Sequence, residues 1–344
     1  MGRVVLVTGV CRDLGGRFAR RIAGHPGVDR VIGVDVVPPR RDLGDVRFVR
    51  ADIRNPVIAK VIAAEDIDTV VHLSVIATPD SPGGRSLMKE INVIGTMQLF
   101  AACQRAPGVK RLVVKSSGHV YGSSSKDPAM FSEEMPPRRM PRSGFGKDSV
   151  EVEGYVRGFA RRRPDVTVTM LRCANLMGPT IETSLTRYFA LPVAPTVMGF
   201  DARLQFCHEE DALAALERAT VSGVHGTFNV AGDGILMLSQ ALRRAGRPTI
   251  PVPSFVLSTV GSSIPQLRSA EMSAEQVAYL THGRGLDTTR MRDVFGFEPG
   301  FTTAEAFADF TRRLSPGLAD PQRIEAWERH GQRALVEVVD RARR

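Results

Sequence analysis

A serine and a histidine that could move a proton lie two residues apart near the middle of the chain. Ser117 and His119 follow the apolar run at residues 111–115. A serine hydroxyl can hold the oxygen of a reacting substrate, and an imidazole titrates close to neutral pH. Ligands of open α/β sheets bind beyond the carboxyl ends of the strands, where both residues are expected to lie. A purely structural role stays open for each of them.

A glycine-containing loop after the first apolar run could hold the phosphates of a dinucleotide. Gly9 and Gly15 lie between a predicted strand and a predicted helix. Glycine lets the backbone turn tightly, and a helix N-terminus offers free N–H groups to a pyrophosphate. The second predicted strand ends at Asp35, whose carboxylate can accept hydrogen bonds from ribose hydroxyls and repel a 2′-phosphate. This favours NAD over NADP, although Arg40 and Arg41 nearby could hold a phosphate.

The elements that must position these residues alternate between strand and helix. Short apolar runs predict strands at residues 3–8, 31–34, 47–49, 69–73, 111–115 and 167–171. Longer amphipathic segments predict helices at residues 14–23, 56–64, 87–106 and 143–163. This alternation predicts an α/β fold with a doubly wound parallel sheet of the Rossmann type.

The pattern changes after Gly178, where prolines interrupt shorter elements. We therefore expect a Rossmann domain at residues 1–178 and a smaller C-terminal substrate lobe at residues 179–314. The two should be interleaved, because residues 204–230 contain a further helix and strand. Residues 315–344 are charged and amphipathic, and they predict a helical extension that packs on the surface or is partly disordered.

The composition is that of a globular protein without a membrane anchor. The chain has 344 residues, of which 43% are hydrophobic and 24% are charged. It contains no apolar run of the roughly 18 to 20 residues that a membrane helix needs, and its start leads directly into a strand rather than a signal peptide. Its four cysteines are scattered without metal-ligand spacing. We expect a reduced, cytoplasmic setting, no membrane contact and no metal.

The net charge of +9 raises the question of nucleic-acid binding. The arginine runs are short and dispersed, and aromatic residues make up only 6% of the chain. Nucleic-acid sites usually show a clustered basic stripe or a stacking platform. Small anionic molecules account for a basic cleft equally well, so we expect no nucleic-acid partner.

The glycine loop resembles that of the extended short-chain dehydrogenase/reductase superfamily, in its NAD-dependent epimerase/dehydratase branch, with UDP-glucose 4-epimerase-like members. The family motif is TGxxGxxG, and Gly9 and Gly15 match its first and third glycines, whereas Arg12 replaces the second. Arg12 either pairs with the diphosphate or blocks it. The resemblance implies that the cofactor contacts Thr8, Gly9, Arg12, Leu14, Gly15, Asp35, Asp52, Ile53, Leu73 and Ser74.

The segment around Ser117 resembles the family motif SSxxVYG, which makes Ser117 the match of the catalytic Ser/Thr and implies that Ser117 and His119 contact the substrate. The following family motif, YxxxK, is degenerate, because Phe145 and Ser149 occupy the tyrosine and lysine positions. Lys147 would point away from the site, about 200° around the helix, and Tyr155 would lie too far along it. Tyr188 and Tyr279 lie in the lobe, where only an unusual loop would bring them in. This leaves His119 as the best candidate for a replacement acid/base.

The substrate contacts implied by the resemblance are also incomplete. Asn175 matches the asparagine of the LRYFNxYGP segment, which contacts the nucleotide diphosphate. The phosphate-binding arginine of the RDFIHVDD segment falls at Leu204, with Arg203 beside it on the opposite strand face. Arg284 could supply a phosphate contact or be a solvated surface arginine.

Three functions remain open. The first is an NAD-binding epimerase/dehydratase acting on a nucleotide sugar or similar anionic metabolite, with an atypical acid/base site. The second is a catalytically inactive protein that senses NAD or a nucleotide sugar. The third is an oxidoreductase acting on a lipophilic alcohol. The resemblance further implies a homodimer formed through the helices at residues 87–106 and 143–163.

Overall fold

A seven-stranded parallel sheet forms the centre of the protein. The computed structural model describes residues 2–75, 84–254, 257 and 272–315. The strand order is β11-β6-β5-β4-β1-β2-β3, and each neighbouring pair is parallel. The strands are β1 Arg3–Thr8, β2 Val28–Asp35, β3 Arg47–Arg50, β4 Thr69–His72, β5 Arg111–Ser117, β6 Thr167–Cys173 and β11 Gly226–Val230. This order confirms the predicted doubly wound sheet. The chain adds strands on one side of β1 as far as β3 and then on the other side from β4 onward, so the strand order reverses between β1 and β4.

Helices cover both faces of the sheet. They are α1 Asp13–Ala23, α2 Val57–Ala64, α3 Gly84–Lys89, α4 Thr96–Arg105, α5 Gly144–Arg162, α6 Ser184–Ala190, α7 Glu209–Ser222, α8 Leu238–Arg244, α9 Ala274–His282, α10 Thr289–Asp293 and α11 Thr303–Thr311. Apolar residues of α1 and α7 share one core with the sheet, whereas those of α2, α4 and α5 form the core on the opposite face. Two layers of helix therefore bury the apolar strands on both sides.

The helix predicted at residues 87–106 is not a single regular α-helix. A π-helical turn, Glu90–Gly95, separates α3 from α4. In this turn the Asn92 side chain donates to Asp148 on α5 at 3.1 Å. A Cβ on Gly95 would lie 2.8 Å from the Ile53 side chain, so the turn packs closely on the loop after β3. The periodicity of the sequence did not reveal this interruption.

A second apolar core lies in the later part of the chain. Three small two-stranded sheets join β7 Asn175–Met177 to β10 Phe206–His208, β8 Ala194–Val197 to β13 Thr249–Val252, and β9 Arg203–Leu204 to β12 Leu236–Met237. Their apolar side chains pack with those of α6, α8, α9 and α11. In contrast, α7 and β11 return to the central sheet. Within the described ranges, every helix is too short or too polar to cross a bilayer. The predicted helical extension lies outside the described residues, apart from residue 315.

Candidate functional site

The glycine loop between β1 and α1 has a shape that larger residues would disturb. Gly9 has a φ of +82°, and a Cβ there would lie 3.0 Å from the backbone of Leu73 and Ser74. A Cβ on Gly15 would lie 2.1 Å from the carbonyl oxygen of Gly9. Arg12, in contrast, has an extended backbone with a φ of −89° directly before α1. The loop therefore requires glycine at its first and third motif positions but tolerates a side chain at the second.

A cavity of about 300 Å³ opens beside this loop and is called the first cavity. Asp35 lies in its wall, where its carboxylate accepts hydrogen bonds from Cys11 N at 3.0 Å and Val36 N at 2.8 Å. Asp52 is also in the wall, and a bidentate contact with Arg54 lowers the pKa of its carboxyl. The predicted cofactor residues that line the first cavity are Gly9, Arg12, Asp35, Asp52, Ile53 and Ser74.

A second cavity of about 530 Å³ lies on the other side of the loop. The predicted cofactor residues in its wall are Arg12, Leu14, Gly15 and Leu73. Arg12 thus borders both cavities. Among the described residues, the side chains of Arg12, Arg40 and Lys115 in this wall have no hydrogen-bond or ion-pair partner, whereas Arg41 pairs with Asp13 at 2.8 Å. The wall is therefore rich in uncompensated positive charge.

Thr8 lies in neither of these two cavity walls, because it is buried inside the sheet. Its hydroxyl accepts from Leu73 N at 3.1 Å and lies 2.9 Å from His72 Nδ1. The other imidazole nitrogen of His72 lies 2.8 Å from the Thr96 hydroxyl. Burial lowers the pKa of His72 to about 4, so the imidazole is neutral. These contacts hold the ends of β1 and β4 together behind the glycine loop.

Ser117 and His119 form a hydrogen-bonded pair at the end of β5. Ser117 Oγ lies 2.8 Å from His119 Nδ1 and also accepts from His119 N at 3.3 Å. Burial lowers the pKa of His119 well below its ordinary value, and the positive charges of Arg284 and Lys115 act in the same direction. A neutral imidazole bonded to a serine hydroxyl can accept the proton of that hydroxyl.

The residues at the two degenerate motif positions offer no acid, base or cation. The Phe145 ring contacts the imidazole of His119 edge-on, with 5.3 Å between the ring centroids. Ser149 Oγ donates to the carbonyl oxygen of Phe145 at 2.9 Å, within its own helix. Lys147 is partly exposed and pairs with Glu151 at 3.9 Å.

Tyr279, which the sequence placed away from the site, lies against His119. The two ring centroids are 6.4 Å apart and the rings are stacked. Tyr279 is only 2% exposed, and Arg284 Cζ lies 5.3 Å from the centroid of its ring. No loop is needed, because α9 itself carries the tyrosine to the imidazole. Tyr188, in contrast, donates to the carbonyl oxygen of Pro195 at 2.9 Å within the second core.

Arg284 is buried rather than solvated. Its Nε donates to the carbonyl oxygen of Gly122 at 2.7 Å, and Nη2 donates to the hydroxyl of Ser123 at 3.1 Å. Gly122 is the last residue of the SSxxVYG segment and Ser123 follows it, so Arg284 holds the end of α9 against that segment.

The remaining predicted substrate residues have different surroundings. Asn175 is half-buried, and its side chain acts to lower the pKa of the neighbouring Tyr279 phenol. Arg203 donates to the carbonyl oxygen of Pro128 at 3.3 Å, and its own carbonyl oxygen accepts from Arg284 N at 2.9 Å. Leu204 is fully buried in the second core and does not reach either cavity wall. Asn175 and Arg284 are therefore brought to His119 through Tyr279, while Leu204 is a packing residue.

Comparison with known proteins agrees with this geometry. Residues 5–231 match the model of the NAD dependent epimerase/dehydratase family. An uncharacterized protein of Mycobacterium tuberculosis is 53% identical over 332 residues, which cover 95% of this chain and 88% of that protein. The UDP-glucose 4-epimerase of Mycolicibacterium smegmatis is 27% identical, with 88% of this chain and 96% of that protein covered.

Solved structures show the same fold. The UDP-glucose 4-epimerase of Thermotoga maritima, solved with UDP-glucose, superposes with a TM-score of 0.69 at 19% identity and covers 90% of this chain and 98% of its own. The dTDP-glucose 4,6-dehydratase of Bacillus anthracis, solved with NAD, also has a TM-score of 0.69, at 18% identity, with 91% and 96% covered. The chain belongs to the NAD-dependent epimerase/dehydratase family.

Proposed function

We propose that the protein binds NAD and acts on a nucleotide sugar or a similar anionic metabolite, using acid/base groups other than the usual tyrosine and lysine. The observation that carries this proposal is the arrangement of Asp35, Asp52 and Ile53 around one cavity at the glycine loop. Family members of known structure were solved with NAD and with nucleotide sugars, which supports both ligands.

The residues at the glycine loop fit a dinucleotide. Gly9 and Gly15 form a cradle that a Cβ would fill, and the first N–H groups of α1 have no partner within the helix. Asp35 would accept hydrogen bonds from the adenosine ribose, and Arg12 would face the diphosphate between the two cavities. Arg40 and Arg41 line the second cavity rather than the one that contains Asp35, which favours NAD over NADP.

The nicotinamide would accept and return a hydride, and the chain's own residues would hold the substrate and move its proton. The Ser117 hydroxyl would hydrogen-bond the reacting oxygen. With its proton on Nδ1, His119 would donate to Ser117 Oγ, which is 2.8 Å away, so that the Ser117 hydroxyl proton is free for the reacting oxygen. The unpaired Arg12, Arg40 and Lys115 in the second cavity favour a ligand that carries negative charge.

The test measures cofactor binding and substrate turnover separately. The purified protein is denatured to look for released NAD, and the cofactor-free protein is titrated with NAD and NADP by calorimetry. We expect NAD to bind more tightly, and Asp35→Ala to weaken NAD at least about tenfold, since charged hydrogen bonds contribute about 1.5–3 kcal/mol. Asp45→Ala is the control, because Asp45 is exposed in the same loop region and lies in neither cavity wall. Failure of both dinucleotides to bind would refute the proposal.

Turnover is then measured on a panel of UDP- and dTDP-sugars. We expect loss of turnover with Ser117→Ala and with His119→Ala. Phe145 and Ser149, which lack acid/base groups, favour a second candidate: a catalytically inactive protein that senses NAD or a nucleotide sugar. Tight NAD binding without turnover of any sugar would identify this second function.

A further inference from the structure

Two aromatic rings contact His119, and they come from different parts of the chain. Phe145 on α5 provides one ring and Tyr279 on α9 provides the other. Phe145 occupies the position of the missing tyrosine but has no hydroxyl. Tyr279 has a hydroxyl, and the neighbouring Asn175 side chain acts to lower the pKa of that phenol. The phenol absent from α5 is thus present beside the same imidazole.

Close packing between α9 and the start of α5 explains how Tyr279 reaches this place. Glu275, one helical turn before Tyr279, accepts from Gly146 N at 3.1 and 3.2 Å. A Cβ on Gly144, whose φ is +71°, would lie 2.3 Å from the Glu275 carboxylate, and a Cβ on Gly146 would lie 2.7 Å from it. The two glycines therefore admit the carboxylate to the N-terminus of α5, where the helix dipole favours negative charge.

The end of α9 fixes a cation beside the phenol. Gly283 terminates the helix with a φ of +68°, and its N–H donates to the carbonyl oxygen of Tyr279 at 2.8 Å. A Cβ there would lie 2.0 Å from the carbonyl oxygen of Arg203. This turn directs Arg284 back over the Tyr279 ring. The guanidinium is buried, and the two hydrogen bonds to Gly122 and Ser123 hold it in place.

We infer that Tyr279 and Arg284 replace the tyrosine and lysine that α5 lacks, with Tyr279 as a catalytic acid and Arg284 as its positioning cation. This inference rests on the proposed function. The Tyr279 O–H bond breaks as its proton passes to the substrate oxygen held by Ser117. The negative charge moves from that oxygen to the phenolate, whose ring centroid lies 5.3 Å from Arg284 Cζ. The reverse transfer restores the phenol, so no further reactant is consumed.

The electrostatic surroundings fit a proton donor. Burial raises the pKa of Tyr279, so the phenol is protonated at neutral pH, while Arg284 and the Asn175 side chain oppose that shift by favouring the phenolate. Burial also raises the pKa of Glu275, but its carboxyl accepts the hydrogen bonds from Gly146 N at the start of α5 and is held there. His119 is neutral and bonded to Ser117, which leaves Tyr279 as the donor.

The first measurement is the turnover of the NAD-loaded enzyme on the UDP- or dTDP-sugar found in the panel. Tyr279→Phe should lower kcat about 10²- to 10⁴-fold, with KM and NAD affinity changed less than about threefold. Tyr188→Phe is the matched control, since it removes an equally buried phenol away from the site, and it should keep kcat within about threefold. Arg284→Lys should retain more activity than Arg284→Met. Unchanged kcat in Tyr279→Phe would overturn the inference.

The second measurement needs no activity. The chain has four tyrosines, so the tyrosinate absorbance of the ligand-free protein can be titrated and the Tyr279 step identified by its loss in Tyr279→Phe. Arg284→Met should move that step to higher pH, and Arg284→Lys should move it less. An unmoved step would refute the pairing of Tyr279 with Arg284. If the wild-type protein binds NAD but turns over no sugar, the proposed catalytic function fails, whereas a shifted titration would still support the pair.

Discussion

Removing Arg172 should destabilise the protein strongly without weakening NAD binding. Arg172 belongs to the LRxxN segment that resembles the family motif, but its guanidinium points into a buried network. Its Nε and Nη2 donate to the two carboxylate oxygens of Glu153 at 2.9 and 2.7 Å, and Nη1 donates to the hydroxyl of Tyr121 at 2.7 Å. The Glu153 side chain is 2% exposed. The network thus joins β6, α5 and the VYG segment.

The expected magnitude follows from what the substitution leaves behind. In Arg172→Met, the Glu153 carboxylate stays buried without its bidentate partner, and breaking a buried pair in this way costs about 3–5 kcal/mol. Arg157 is the matched control, because it contacts the same carboxylate at 3.4 Å but its side chain is 57% exposed. Arg157→Met should cost no more than about 1 kcal/mol, as expected for a solvent-screened pair.

Urea unfolding followed by circular dichroism measures both variants, and calorimetry with NAD checks that the glycine loop is intact. The double variant Arg172→Met/Glu153→Met should recover at least about 2 kcal/mol relative to Arg172→Met, since removing both charges also removes the uncompensated carboxylate. Equal losses for Arg172→Met and Arg157→Met would refute this reasoning. A double variant less stable than Arg172→Met would refute it as well.

Two further predictions concern buried contacts near the site. His72 has a pKa of about 4 in the folded protein and an ordinary pKa of about 6.5 in the unfolded chain. As the pH falls from 7 to 5, the unfolded chain therefore takes up a proton at this residue and the folded protein does not. The wild-type protein should lose about 2 kcal/mol of stability through this group between pH 7 and pH 5, and urea unfolding at the two pH values should show that His72→Asn lacks this part of the loss. Gly283→Ala should destabilise the protein by clearly more than Gly234→Ala. Both glycines have a positive φ, but a Cβ on Gly283 would lie 2.0 Å from a backbone oxygen, whereas a Cβ on Gly234 would enter open space. Thermal unfolding compares the two variants, and equal shifts would contradict the proposed close contact with Arg203.

The central sheet was predictable because its information is local. Apolar runs bounded by turn residues marked the six strands from β1 to β6. The loop after β1, together with Asp35, indicated a cofactor site at the carboxyl ends of these strands. The position of Ser117 and His119 close to a strand end was also predictable, but the hydrogen bond between them was not predicted. These features need no knowledge of distant residues.

The placement of Tyr279 was not predictable in the same way. It depends on Gly144 and Gly146 admitting Glu275, and on Gly283 turning the chain at Arg203, so residues far apart in sequence must meet. Close approach of this kind leaves no periodic signal. Gly283 is a local sign that a helix ends there, since helices often terminate at glycine, but it does not show which surface the helix packs against.

The π-helical turn at Glu90–Gly95 also constrains how the chain can change length. A π turn holds one residue more than an α turn in the same span. Deleting one residue from the π turn would therefore restore regular winding, whereas deleting one from the regular helix α4 would rotate everything before it by about 100°. Arg85, which donates to Asp148 through both of its terminal nitrogens, would then lose its contact with that carboxylate. The π turn is therefore where the helix accommodates one additional residue, and the number of residues is constrained in the regular helix that follows it.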